Sequence, residues 1–353
     1  MARALRSVLI SLAGSDLTTR INPNTGHLLI EAAIHPPPTA RYAASVRAGG
    51  GDLIGPVVIA VTNHKGGCGK TTTAVNLASA LAVGNEEYGI AGRRVLLIDL
   101  DPKGNIATTF GIDKKKLGST MNDLFKAGID GPSVRFADCL IGPEALTESM
   151  KEANRRQNPE RKRGPPKGLA VENLWLLPAD LDLAGIEIDL ATRIGRENRL
   201  RNAMQGAIGH FDVVIIDTPA SLGLLTVNAL AAAQWVMIPV QAEFYALENM
   251  SQLMNTVRDV QSAVNPGLRL FGIALTMVQR SRLSETVAEQ ARKHFGDRLF
   301  ESEIPRLVAI AEAPLDGAPI VIGQKPNKSN PGSTAYWDLA KEASQRIDSI
   351  RNA

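Results

Sequence analysis

Cysteine is nearly absent from this sequence: Cys68 and Cys139 are the two in 353 residues, and neither sits in a CxxC pair or a Cys/His cluster. That excludes a disulfide framework and a cysteine-based metal site of ordinary ligand spacing, and it fits a reducing compartment. Long apolar runs are missing too. The longest, such as Val213 to Ile216, have the length of a buried strand and fall far short of the ~18 apolar residues of a membrane helix. Neither charge dominates. With 39 basic and 36 acidic residues the net is +3, so any surface for nucleic acid must be a local patch. Arg3 and Arg6 precede an apolar run from Val8 to Ala13 that is at the short limit for a signal peptide, and no clear small-x-small cleavage site follows. There is no internal repeat.

What is present is enough for one large core. With 44% apolar and 21% charged residues, the chain reads as one domain with appendages. Residues 1–55, punctuated by Pro36-Pro37-Pro38 and Gly49-Gly50-Gly51, read as a flexible N-terminal extension. Within it Leu28 to Ile34 is a candidate strand or hairpin, and nothing shows the periodicity of a helix-turn-helix. From Val57 onward apolar strands alternate with helical stretches: Val57 to Thr62, Val95 to Asp99, Leu174 to Pro178, Val213 to Asp217, Trp235 to Val240 and Leu270 to Thr276. This predicts an α/β domain over 56–353, a mostly parallel twisted sheet with helices on both faces. At about 128–172 a basic stretch with Pro159, Pro165 and Pro166 reads as an irregular insertion; Lys151 to Lys167 carries seven bases against Glu152 and Glu160, a local net of +5.

The first strand runs into His64-Lys65-Gly66-Gly67-Cys68-Gly69-Lys70-Thr71-Thr72, with a helix predicted to open at about Lys70. A glycine turn between strand and helix is the setting of a P-loop: backbone N–H groups curl inward and the helix N-terminus adds positive partial charge, so a triphosphate is held. Lys70 is placed to meet the β- and γ-phosphates, and the Thr71 hydroxyl to ligate Mg²⁺. Cys68 reads as a small packing residue. Against GxxxxGK[ST], the first glycine is replaced by His64-Lys65, which adds a second lysine.

That second lysine carries a resemblance. KGGCGKTT is similar to the deviant Walker A motif, KGGxGKTT, of the ParA/MinD superfamily of P-loop ATPases, whose extra lysine, here Lys65, reaches across a sandwich dimer to the partner's ATP. Asp99-Leu100-Asp101-Pro102-Lys103-Gly104-Asn105 resembles the family's DxDPQGN switch, with Lys103 in place of glutamine. Asp101 is the expected carboxylate for orienting the attacking water, because positioning is most of what a protein contributes to phosphoryl transfer. Asp217-Thr218-Pro219-Ala220-Ser221-Leu222-Gly223, after an apolar strand, resembles DxPPSLG, with Asp217 expected to hold Mg²⁺ through water. Further segments match in order to the C-terminus, among them Leu177 to Glu187, Pro239 to Glu248 and Ile304-Pro305-Arg306. The last contributes to the family's adenine pocket, and here Pro305 is kept while Leu307 replaces asparagine.

The resemblance implies ATP and Mg²⁺ as cofactors, an ATP-dependent homodimer, non-specific DNA and a ParB-like activator as partners, no membrane, and a cytoplasmic, nucleoid-associated location. The function implied is partitioning or positioning of DNA. Binding DNA without sequence preference needs only Lys and Arg at phosphates. Arg258, Arg280, Arg282, Arg292 and Lys293 fall in a region similar to the family's DNA surface, although any one such residue is more often a solvated helix charge. Other readings are a MinD-like membrane-cycling ATPase, an ATPase positioning a non-DNA cargo, an electron-transfer ATPase resembling the nitrogenase iron protein, and a nucleotide-binding scaffold without hydrolysis. The first needs an amphipathic C-terminal helix with bulky apolar and basic faces, whereas Tyr336 to Ile350 has the spacing of a helix that packs on its own sheet. The electron-transfer ATPase needs two bridging cysteines per subunit, and only Cys139 lies outside the P-loop.

Overall fold

A computed structural model of the chain describes residues 19–21, 28–30, 55–127, 134–157, 168–243 and 246–353. A short antiparallel ribbon pairs β1 (Thr19–Ile21) with β2 (Leu28–Ile30), where the sequence suggested a strand or hairpin. The rest of the expected N-terminal extension lies outside the described residues.

The domain is built on a seven-stranded parallel sheet: β3 (Val57–Val61), β4 (Val95–Asp99), β5 (Leu174–Leu177), β6 (Val213–Asp217), β7 (Trp235–Gln241), β8 (Arg269–Val278) and β9 (Leu299–Pro305). Its spatial order is β5-β4-β6-β3-β7-β8-β9. The inner strands read as unbroken apolar runs because both faces are covered. Val57, Ile59 and Val61 face one core layer, and Val58 and Ala60 face the other. Helices α1 (Lys70–Val83), α2 (Pro143–Gln157) and α6 (Pro331–Asn352) pack on the first face, and α3 (Leu224–Ala232), α4 (Ala246–Ala263) and α5 (Arg282–Phe295) on the second.

Two expectations change. The sequence suggested six strands of this sheet and omitted β9, an edge strand whose Glu301, Ser302 and Glu303 break the apolar pattern. The basic stretch at 128–172 is not irregular throughout. It holds α2, whose Leu146, Met150 and Ala153 recur at helical spacing and are buried. The charge count hid that face. Within α2, Lys151 pairs with Glu148 at 2.8 Å. Arg161, Lys162, Arg163 and Lys167 lie outside the described residues.

In an open parallel sheet, ligands sit beyond the carboxyl ends of strands where the connections diverge. From β3 the chain first moves to β4 on one side and later, through β6, to β7 on the other. The ends of β4, β6 and β3 are therefore neighbours, with Asp99 in register with Asp217 and Asp217 with Val61.

Candidate functional site

The P-loop leaves β3 and enters α1 through two glycines that only glycine tolerates well: Gly67 at φ 74° and Gly69 at φ 82°. Gly66 and Gly67 have open space where a Cβ would stand. Because Gly69 is the N-cap and offers no side chain, the first N–H groups of α1 have no capping oxygen and remain available to an anion. Lys70 is buried, and its ammonium donates to the Lys65 carbonyl at 3.2 Å. Thr71 and Thr72 are half-buried at the first turn. Cys68 is fully buried with its thiol pushed up by burial, which fits the packing role expected of it.

One support was missed in the sequence. The Thr276 hydroxyl, at the end of β8, donates to the Cys68 carbonyl at 2.8 Å and pins the loop from 208 residues away. A threonine at a strand end gives no local signal of that contact.

Asp99 ties its own loop. One carboxylate oxygen accepts from the Asp101 N–H at 2.9 Å and the other from the Ile106 N–H at 3.4 Å. Asp101 stands half-buried outside it, accepting the Lys103 N–H at 3.0 Å. Asp217 differs. It is fully buried, and among the described residues neither carboxylate oxygen completes a hydrogen bond of normal geometry. Burial pushes its carboxyl up to about 7, opposed by the nearby Thr71 hydroxyl and Lys70 ammonium. The Asp99 carboxyl is pushed well up as well, by burial and then by the Asp217 charge beside it.

A buried carboxylate with unmet oxygens beside a threonine hydroxyl is a fitting donor set for a hard cation. Among the described residues no cluster of three or more His, Cys, Asp or Glu could hold a metal ion. Magnesium commonly takes one or two protein carboxylates and completes its shell with substrate phosphates and water, so the single carboxylate suffices.

On the far side, Val278 and Pro305 are in register at the ends of β8 and β9, and the Arg306 N–H donates to the Val278 carbonyl at 2.9 Å. They line a cavity of about 700 Å³ with Gln279 and Arg280. Leu307 packs half-buried against the core. Lys65, by contrast, turns to Glu243 at the end of β7, with the ammonium 2.6 Å from the carboxylate.

Of the candidate DNA residues, Arg280 and Arg292 line the same cavity as Pro305. Arg258 on α4, Arg282 at the first turn of α5, and Lys293 in its last turn are exposed, and Arg280 is exposed just before α5. Arg292 is exposed but ion-paired to Glu303.

The family model described as an AAA domain matches residues 57–270. The sporulation initiation inhibitor protein Soj of Bacillus subtilis is 41% identical over 286 residues, covering 81% of this chain and 97% of Soj. The chromosome partitioning protein ParA of Caulobacter vibrioides is 39% identical over 292 residues, covering 82% and 94%. Among solved structures, cobyrinic acid a,c-diamide synthase from Mycobacterium smegmatis with bound ATP analog and magnesium is 33% identical with a TM-score of 0.59, covering 81% of this chain and 93% of that one. With relatives near 40% identical across four fifths of its length, and with the deviant P-loop and two carboxylate loops folded to one edge of the sheet, the chain belongs to the Soj/ParA family of partitioning ATPases.

Proposed function

We propose that this ATPase is a dimerising switch on DNA: with ATP it pairs with a second copy and binds DNA without sequence preference, and hydrolysis releases it, partitioning a chromosome or plasmid. The observation that carries the reading is the convergence of the P-loop, the Asp101 loop and Asp217 at the carboxyl ends of three adjacent strands. Backbone N–H groups from Gly66 to Thr72 cradle the phosphates, Lys70 neutralises the β- and γ-oxygens, and Pro305 borders the adenine. Thr71 and Asp217 would hold Mg²⁺, whose charge offsets that of the phosphates. Asp101, next to the buried carboxylates and itself half-exposed, orients the attacking water. Lys65 acts on the partner's nucleotide.

Arg258, Arg280, Arg282 and Lys293 engage DNA phosphates; Arg292 contributes less while Glu303 neutralises it. A ParB-like protein stimulates turnover. The MinD-like reading loses support from α6, whose Tyr336, Leu339, Ala340, Ala343 and Ile347 are taken up by the core and leave no bulky apolar face for a membrane.

A salt titration of DNA binding by Asp101→Ala in ATP and in ADP tests this. The variant should stay on unrelated DNA sequences in ATP, with a steeper salt slope than in ADP, because two subunits engage more phosphates than one. Equal affinity in the two nucleotides would falsify the link between ATP and DNA.

A further inference from the structure

The loop that follows Asp217 is tied down at three points, the first and third of them to distant parts of the chain. Thr218 donates its hydroxyl to the Val61 carbonyl at 3.0 Å, anchoring the loop to the end of β3. The Thr226 hydroxyl donates back to the Ser221 carbonyl at 2.6 Å. At the far end Gly223 is the N-cap of α3, and it has no side chain to close the helix. Glu187 does so instead: its Oε1 accepts the Leu225 N–H at 3.3 Å, an acidic group at the positive end of the helix.

Gly223 leaves room for this contact. Its φ of −81° and ψ of −168° are open to any residue, so backbone freedom is not the reason for glycine. A Cβ at 223 would overlap Glu187 Oε1 and stand 3.1 Å from its Cδ, so a side chain here would push the movable carboxylate off the helix end.

The segment bearing Glu187 is firmly placed. Ile186, Leu183 and Leu190 are buried in the second core layer, and Asp180 accepts the N–H groups of Asp182 and Leu183 at 2.9 and 3.2 Å. The same segment touches the other carboxylate loop, since a Cβ on Gly104 would stand 2.8 Å from the Ala179 carbonyl. One rigid element thus abuts both loops that carry the carboxylates.

We infer that Glu187 is a positioning residue for ATP hydrolysis: its carboxylate fills the space left by Gly223, closes the amino end of α3, and fixes the Thr218–Gly223 loop beside Asp217. The role rests on the nucleotide site proposed above. Fixing this loop matters at the transition state more than in binding, because phosphoryl transfer depends on where the groups around the phosphate are held.

The test compares Glu187→Ala, Glu187→Gln, Gly223→Ala and the double variant Glu187→Ala/Gly223→Ala, with kcat, KM and thermal midpoint measured for each and Lys70→Ala as a binding control. Loss of one cap bond should lower kcat about fivefold in Glu187→Ala with KM nearly unchanged. Glu187→Gln keeps an accepting oxygen and should turn over within about twofold of the parent. Gly223→Ala should push the Glu187 carboxylate aside and lower kcat about as much as Glu187→Ala does, about fivefold, and by no more than about twofold once Glu187 is truncated, the mark of two groups sharing one space. The inference is overturned if Glu187→Ala changes only the thermal midpoint, if Gln behaves as Ala, or if the Gly223→Ala penalty is the same in both backgrounds. Should Gly223→Ala not fold, the Ala against Gln comparison decides alone. If Lys70→Ala retains ATP binding, the nucleotide site itself fails; if it loses binding while Glu187→Ala is neutral, only the role of Glu187 does.

Discussion

Lys65 and Glu243 form an ion pair at 2.6 Å that joins the P-loop to the end of β7, although 178 residues separate them in sequence. Both are partly exposed, with side-chain accessibilities of 33% and 48%, so the pair is worth at most ~1 kcal/mol. If Lys65 acts on the partner's ATP, it must leave Glu243 to do so. Glu243→Gln should therefore shift ATP-dependent dimerisation to lower protein concentration by up to about fivefold, whereas Lys65→Ala should abolish it and leave ATP binding intact. Light scattering with and without ATP reads both, and a Lys65→Ala dimer of normal stability would make the lysine a surface charge.

Lys70 is buried, and among the described residues its hydrogen-bond acceptor is a backbone carbonyl, that of Lys65. An ammonium so placed is ready for anionic oxygens, and Lys70→Ala should weaken ATP binding about tenfold or more. Fluorescence titration with an ATP analogue measures this, and unchanged affinity would remove the P-loop assignment.

The buried carboxylates give the nucleotide-free protein a pH dependence of unusual sign. Burial raises the Asp217 carboxyl from 3.8 to about 7, so the folded state holds a proton that the unfolded chain has lost. Stability from that proton is complete below pH 3.8 and disappears as pH rises through about 7, with Asp99 shifted in the same direction. In chelator, the thermal midpoint should fall between about pH 5 and 8, and Asp217→Asn should flatten the fall. Magnesium nucleotide should reverse it by stabilising the charged form. A midpoint that climbs over this range in the parent protein would contradict the burial argument.

Ala153 shows that α2 belongs to the core. A Cβ on Gly317 would overlap its methyl, and one on Gly111 would come within 2.5 Å of it. Ala153→Leu has no room to grow and should destabilise the fold by about 1–3 kcal/mol. Chemical denaturation measures the loss, and a neutral substitution would mean that α2 is only loosely attached.

The elements legible in the sequence are those whose cause is local. Lys65 to Thr72 declares a phosphate loop because the glycines and lysines that shape it are consecutive, and β3, β4 and β6 declare themselves because burial on both faces leaves no polar position before the aspartates that end β4 and β6. Asp99 and Asp217 are where the apolar runs of β4 and β6 stop, and Asp101 follows from the Asp-x-Asp pattern two residues on. Edge strand β9 is not legible in the sequence since one open side lets it carry Glu301, Ser302 and Glu303, and α2 is not because its three buried apolar residues are outnumbered by its charges. The pairs Lys65–Glu243, Thr276–Cys68 and Glu187–Gly223 could be decided only by the folded chain. Each depends on the order β5-β4-β6-β3-β7-β8-β9, which places β6 between β4 and β3 and brings together side chains that no sequence spacing relates. Local chemistry thus named the phosphate site, while the packing of distant segments around one sheet edge determined how its loops are held.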